Sequence, residues 1–343
     1  MPVEPFRWQD GERLVRFGRG TLAEAPELLA RPYALLTTAR AAGDARMVVD
    51  GAAAVHQVPA GGVDAVAAGL REAVEGDVLV ALGGGRVIDV AKALAAADPP
   101  RRVAAIPTTL SAAEMTALHR HAAGVDSATP RVRPALVIND PTLSASQPAE
   151  QLAASAANSL GHALEAPLTP FASPVSTWAA HEAAHLLVSG LAAQDVDRDG
   201  LGINGRAAQD TDLDALALGA LLAGYAIGAS GYGLHHVVAQ TAVREAGVGH
   251  GSANAILLPH TVRALARRFP DRLAAFDAAL SNDAVSAAAA MARLSGAVKL
   301  RDVGVAPEQL GACADAAGRR PELALTPPVA DRDELLAIYE AAW

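Results

Sequence analysis

Over the first 150 residues, short apolar runs alternate with segments whose apolar residues recur at three- and four-residue spacing, and after Pro148 the pattern changes. The runs YALLTTA (33–39), ARMVVDG (45–51), DVLVALGGG (77–85), RVAAIPTT (102–109) and PALVINDP (134–141) are bounded by Pro, Gly, Asp or Arg. Contiguous apolar runs of this length predict strands covered on both faces of a parallel sheet. Between them, VDAVAAGLREAVEG (63–76) and RVIDVAKALAAAD (86–98) carry the helical period and predict crossover helices. Alternation of this kind builds an α/β domain with a parallel sheet. From Glu150 onward only Ala/Leu-rich helical pattern remains, interrupted first by Pro167, Pro170 and Pro174. The predicted organisation is an α/β domain over 1–148 and an all-helical domain over 149–343, and no fixed-period repeat is visible.

Composition narrows the class. Hydrophobic residues make up 51% of 343 and aromatics only 3%, so the core is aliphatic and disorder is excluded. The formal charge is -9 and no basic run exceeds a pair such as Arg101-Arg102, which argues against nucleic acid or an anionic membrane as partner. The single cysteine, Cys313, forms no intrachain disulfide, and MPVEPFRWQDGER carries charges where a secretory signal needs an apolar run. A cytoplasmic location is expected. The uncharged stretch 215–234 is about long enough to span a bilayer, but its five glycines and the lack of flanking basic or aromatic residues favour a helix buried in a helical domain.

The strongest local signal is DVLVALGGGRVIDVAK (77–92), where a strand ends in Gly83-Gly84-Gly85 and a helix begins at once. Unblocked main-chain N–H groups and the positive end of a helix then converge on one point, as a pyrophosphate requires. A triple glycine is also compatible with a tight turn alone, but Thr108 and Thr109 end the next strand on the same sheet edge, where ligands of open α/β folds bind. Asp89, on the helix, joins the candidate dinucleotide contacts. So do Thr38 and Arg40 at the end of YALLTTAR, where no acid stands to select the ribose 2′-hydroxyl and Arg40 suits a 2′-phosphate. NADH and NADPH are both expected to serve. In the second half, Asn158 and His162 lie four apart on one helix face, and His235, His236 and His250 flank very apolar segments, where polar rings need a reason.

Five segments in register carry a resemblance over roughly 10–340: GGGRVIDVAKALA, IPTTLSAAEMT, VINDPTLSASQP, NSLGHALEA and GLHHVVAQ…GHGSANAILLPH. They resemble the serial motifs of the iron-containing (group III) alcohol dehydrogenases, within which the Thr-Thr-x5-Met-Thr spacing, Asn158 and the GLHH at 233–236 look most like maleylacetate reductase. The resemblance implies the dehydroquinate synthase-like architecture, an NAD(P)-binding first domain, a helical catalytic domain, and hydride transfer to a carbonyl in a cleft between them. It also implies a homodimer. In metal-dependent members the ligands sit at the positions of Asn158, His162, His236 and His250.

This sequence departs from that pattern at several positions. Asn158 replaces an aspartate, and a neutral amide holds iron or zinc less well than a carboxylate, so a metal-independent enzyme is expected. Gln240 stands where many relatives carry a histidine that relays protons, and glutamine does not titrate. Ala112 and Ala113 replace an expected Gly-Ser pair, and Arg86 an expected serine. The functional expectation is an NAD(P)H-dependent reductase of a small oxo-acid, with His162, His236, His250, Asn158 and Gln240 at the reacting end and Arg244, His119 or His121 as guesses for the substrate carboxylates. The alternative is a repurposed relative, a lyase, cyclase or binding protein, because fold does not fix function. Two patterns read as accidental: the HExxH of His181, Glu182 and His185, which lacks a third ligand, and Asp195–Gly200, which starts like an EF-hand loop but has Arg206 in place of its final Glu.

Overall fold

The structure, a computed structural model, describes residues 3–192, 212–280 and 283–343. The chain divides into two compact units, Met1–Gln147 and Pro148–Trp343.

The first unit contains β1 (Phe6–Asp10), β2 (Arg13–Phe17), α1 (Ala25–Leu28), β3 (Ala34–Thr37), α2 (Ala39–Asp44), α3 (Arg46–Asp50), β4 (Ala54–Gln57), α4 (Val63–Leu70), β5 (Val78–Gly83), α5 (Gly85–Ala97), β6 (Arg102–Pro107) and β7 (Leu136–Asn139). The seven strands form one sheet in the order β1-β2-β7-β6-β5-β3-β4. Every pairing is parallel except that of β1 with β2. Successive side chains on a strand point to opposite faces, and here both faces are dry. Leu79 and Ala81 enter one core with Ala67 of α4 and Ile88 and Leu94 of α5. Val80 and Leu82 enter the other with Ala41 of α2 and Val48 of α3. That is why these strands read as unbroken apolar runs.

Two expectations are corrected, and three strands are added. ARMVVDG (45–51) is the helix α3, not a strand: only Val48 is buried while Met47 is 43% exposed, so one side is covered where a central strand needs two. The helix expected over 63–76 stops at Leu70. The hairpin β1–β2 and the edge strand β4 were not foreseen, because β1 and β2 are short and alternate polar with apolar residues, while β4 is a four-residue strand that is largely exposed. The hairpin's signal is a two-residue connection opening on Gly11 at φ +60° between alternating segments.

The described part of the second unit is helical throughout: α6 (Ala149–Glu165), α7 (Pro174–Ala192), α8 (Leu213–Ser230), α9 (Leu234–Glu245), α10 (His250–Arg268), α11 (Pro270–Leu280), α12 (Ala284–Leu294), α13 (Glu308–Gly318) and α14 (Arg332–Ala342), with short 3-10 turns between. By length and composition α8 is apolar enough to cross a membrane, yet 67% of it is buried within the protein. It packs against α6 and α7. A Cβ on Gly219 would lie 2.9 Å from Leu187, and one on Gly190 the same distance from Leu216, so glycines let α7 and α8 approach closely. The long helix α6 packs against α7, α8, α10 and α12.

Candidate active site

In the first unit the glycine triplet does three separate jobs. Gly83 is the last residue of β5, Gly84 is the N-cap of α5 without a side-chain cap, and Gly85 starts the helix. A Cβ on Gly84 would sit 2.8 Å from Thr109 Cγ2, and one on Gly85 3.0 Å from Ser111 Oγ. The glycines thus let the segment after β6 lie directly against the open N-terminus of α5, whose first N–H groups lack helical acceptors. The hydroxyls of Thr108 and Thr109 are buried there with no protein partner among the described residues. This cradle fits the diphosphate of a dinucleotide.

The other predicted contacts serve the scaffold as well. Thr38 caps α2 by accepting from Ala41 N, and Arg40 donates to Ser146 Oγ at 2.8 Å. Asp89 pairs at 2.7 Å with Lys92, a fully buried lysine that the sequence reading did not single out. Lys92 Nζ donates to the carbonyls of Ala113, Thr116 and Leu118, pinning the segment after the cradle to α5. Within that segment Glu114 is buried, and burial raises its carboxyl to about 7 against the pull of Lys92 and Arg13.

In the second unit, α6, α9 and α10 bring the histidines together. Asn158 and His162 stand one turn apart on α6, and the imidazole of His162 stacks on that of His236 with centroids 4.4 Å apart and planes 13° apart. Glu165, one further turn along the same face, was missed, although the 158, 162, 165 spacing is that of one helix face. Its Oε1 accepts the main-chain N–H of His235 at 2.5 Å, and its Oε2 meets His236 Nδ1 at 2.6 Å. This buried carboxylate therefore caps the start of α9 and fixes the His236 ring. His236 Nε2 is buried with no protein partner among the described residues. His235 turns the other way and bonds Thr261 at 2.8 Å. A Cβ on Gly161 would fall 2.6 Å from the His235 ring, so only glycine admits the two histidines to this face of α6. His250 opens α10, where its ring lies 3.3 Å from Asn254 Nδ2.

Burial governs the charges. It drives His162 well below its ordinary value and His235 and His236 down to about 3, with mutual repulsion among the imidazoles adding to the effect. Burial also raises Glu165 to about 7. For the coupled pair Glu165–His236 the direction is toward a single shared proton and no net imidazolium.

Gln240 lies one turn after His236 on α9. Its Oε1 accepts from Arg320 Nη2 at 3.2 Å, and the same nitrogen donates to Tyr232 Oη at 3.1 Å. Arg320 is in turn forked onto Glu322, with both contacts at 3.0 Å. The guesses for carboxylate partners are not gathered here: Arg244 is exposed on α9, and His119 and His121 pair edge to face in the first unit. On α7, His181 packs on Phe276 while Glu182 and His185 are exposed. The EF-hand-like segment 195–206 lies outside the described residues. No group of three or more His, Cys, Asp or Glu among the described residues is arranged to hold a metal ion, and the first family position, Asn158, supplies a neutral amide. Against the family's ligand set, a neutral amide at 158 in place of a carboxylate leaves the donors weaker for iron.

Comparison with known proteins follows this division. Residues 13–141 match the iron-containing alcohol dehydrogenase family and residues 152–343 its C-terminal domain. The chain is 33% identical to maleylacetate reductase 1 of Rhodococcus opacus over 297 residues, 85% of this chain and 79% of that protein. It is 30% identical to maleylacetate reductase of Pseudomonas aeruginosa, over 78% of this chain and 74% of that one. The solved structure of maleylacetate reductase from Rhizobium sp. strain MTP-10005 superposes with a TM-score of 0.80 at 26% identity, covering 99% of this chain and 98% of that one. This chain belongs to the iron-containing alcohol dehydrogenase family.

Proposed function

We propose that the protein is an NAD(P)H-dependent reductase of a small oxo-acid, of the maleylacetate reductase type. The observation that carries this reading is His236, held at Nδ1 by Glu165 and left with a buried, unpartnered Nε2 beside His162. Gly83, Gly84, Gly85, Thr108 and Thr109 would hold the diphosphate of the cofactor, with Asp89, Thr38 and Arg40 near its other groups. When bound, the reduced nicotinamide supplies a hydride.

The chain's own residues supply the rest. Neutral His236 carrying its proton on Nε2 polarises the substrate carbonyl and gives that proton to the oxygen as it gains charge. Glu165, protonated in that tautomer, passes its proton to Nδ1, so the ring never carries a lasting charge in a site that burial makes hostile to one. His162 and Asn158 line the same wall, His250 contributes from the start of α10, and Gln240 orients its neighbours without titrating. No step is assigned to a metal. Arg40, in place of an acid, supports use of NADPH as well as NADH. The enzyme is proposed to act as a cytoplasmic homodimer on a small-molecule substrate, without nucleic acid or membrane.

The non-redox alternative is not favoured, since maleylacetate reductases match at 30% identity and above over most of the chain. The direct test is the consumption of NADH or NADPH by purified protein supplied with maleylacetate. His236→Ala and His250→Ala should each lower kcat by about 10² to 10⁴ with cofactor affinity unchanged. Turnover of substrate with no dependence on reduced cofactor would instead assign the chain to the non-redox alternative.

A further inference from the structure

Resting on that reading, we infer that Arg320 is the anchor for a substrate carboxylate and so sets the oxo-acid preference of the site. The side chain is only 12% exposed, and four contacts immobilise one edge of its guanidinium: Nε and Nη2 on Glu322, and Nη2 also on Tyr232 and Gln240. The remaining nitrogen, Nη1, is buried and has no hydrogen-bond partner among the described residues. A buried cationic donor without an acceptor is costly, and a carboxylate is the acceptor that matches its planar geometry.

The position of Arg320 relative to the reacting end follows from helix geometry. His236 and Gln240 are four apart on α9 and share a face. Arg320, bonded to Gln240, therefore lies over that face about one turn, ~6 Å, beyond His236. Tyr232 bridges the interval, its hydroxyl on Arg320 and its ring 5.9 Å from that of His236. A short carbonyl compound bearing a carboxylate a few bonds from its oxo group spans this interval, whereas a simple aldehyde or ketone reaches only the histidine. Glu322 already neutralises most of the arginine's charge; hydrogen bonds from Arg320 hold its carboxyl down to about 2 despite burial, which acts the other way. The anchor therefore works through the directed Nη1–H donor more than through net charge, and lysine is not an equivalent replacement.

The experiment compares wild type with Arg320→Lys in two readouts: calorimetric binding of maleate, a dicarboxylate without a reducible oxo group, and kinetics with maleylacetate and with an uncharged aldehyde. Expected for Arg320→Lys are a 10- to 100-fold weaker affinity for maleate and a KM for maleylacetate raised by the same factor, with kcat/KM for the aldehyde and the affinity for NADH unchanged. Equal loss on both substrates, or unaltered maleate affinity, overturns the inference. If Arg320→Lys does not fold, a wild-type crystal soaked with maleate decides: a carboxylate on Arg320 Nη1 supports the anchor and one seated elsewhere overturns it. The two readings fail separately. Maleate bound through Arg320 without consumption of reduced cofactor removes the reductase and keeps the anchor; turnover indifferent to Arg320→Lys does the reverse.

Discussion

Ala112 is the one non-glycine residue among those described with a left-handed backbone, at φ +61°, in the segment that follows β6. That conformation crowds Cβ against the backbone, which explains why glycine was the expected residue and why alanine, the smallest substitute, is tolerated. Ala112→Gly should change stability by less than about 1 kcal/mol, relief of strain offsetting lost burial and added chain entropy, whereas Ala112→Val should cost more than about 2 kcal/mol in chemical denaturation. Two residues on, Glu114 gives a pH signature. Its folded value of about 7 lies above the ordinary 4.5, so the native state binds a proton that the unfolded chain has released. The resulting stability is complete below pH 4.5 and is lost as pH rises through about 7. Wild-type stability should fall by up to about 3 kcal/mol across that window, and Glu114→Gln should flatten the slope. A Glu114→Gln protein with an unchanged pH profile would show that this carboxyl does not titrate there. None of this was readable from residue type alone: Glu114, Lys92 and Glu165 are ordinary charged letters in the sequence, and only burial makes them exceptional.

Among the elements, those whose local pattern and tertiary role agree were predicted from the chain itself. The strands β3, β5, β6 and β7 and the helix α5 fall where contiguous apolar runs and the helical period place them. The glycine turn into α5 was visible because its geometry is local. Gly84→Val brings a branched side chain against Thr109, where a Cβ alone already approaches to 2.8 Å, and blocks the main-chain approach that a diphosphate needs. Dinucleotide affinity measured by fluorescence titration should fall by about 10² or more, while far-ultraviolet dichroism stays native. Undiminished affinity would move the cofactor site elsewhere. Short or half-exposed elements were read less well. In α3 five residues do not complete two helical turns, so periodicity cannot distinguish helix from strand. The strands β1, β2 and β4 draw their stability from pairing partners, and in β2 the partner is β7, more than a hundred residues away.

At the scale of the whole molecule, metal and cofactor choice follow from the character of the site. With a neutral amide at 158 in place of a carboxylate, chelation by EDTA should leave oxo-acid reduction within about twofold of its starting rate, and added iron or zinc should not raise it. Activity lost to chelator and restored by a metal would reverse the assignment. With Arg40 in place of an acid, kcat/KM for NADH and NADPH should differ by less than about a hundredfold in steady-state assays. The order of the motifs, the switch from α/β to helical pattern after Pro148, the glycine turn into α5 and the histidine positions were determined by the sequence by itself, since each depends on spacing within one element or on the succession of elements. Only the tertiary structure decided that Glu165 holds His236, that Lys92 pins the segment after the cradle, and that Arg320 reaches Gln240 across 80 residues of chain. The physical reason is that hydrogen bonds and desolvation act over a few ångströms in space, whatever the separation along the chain, and a linear pattern records only neighbours on the same element.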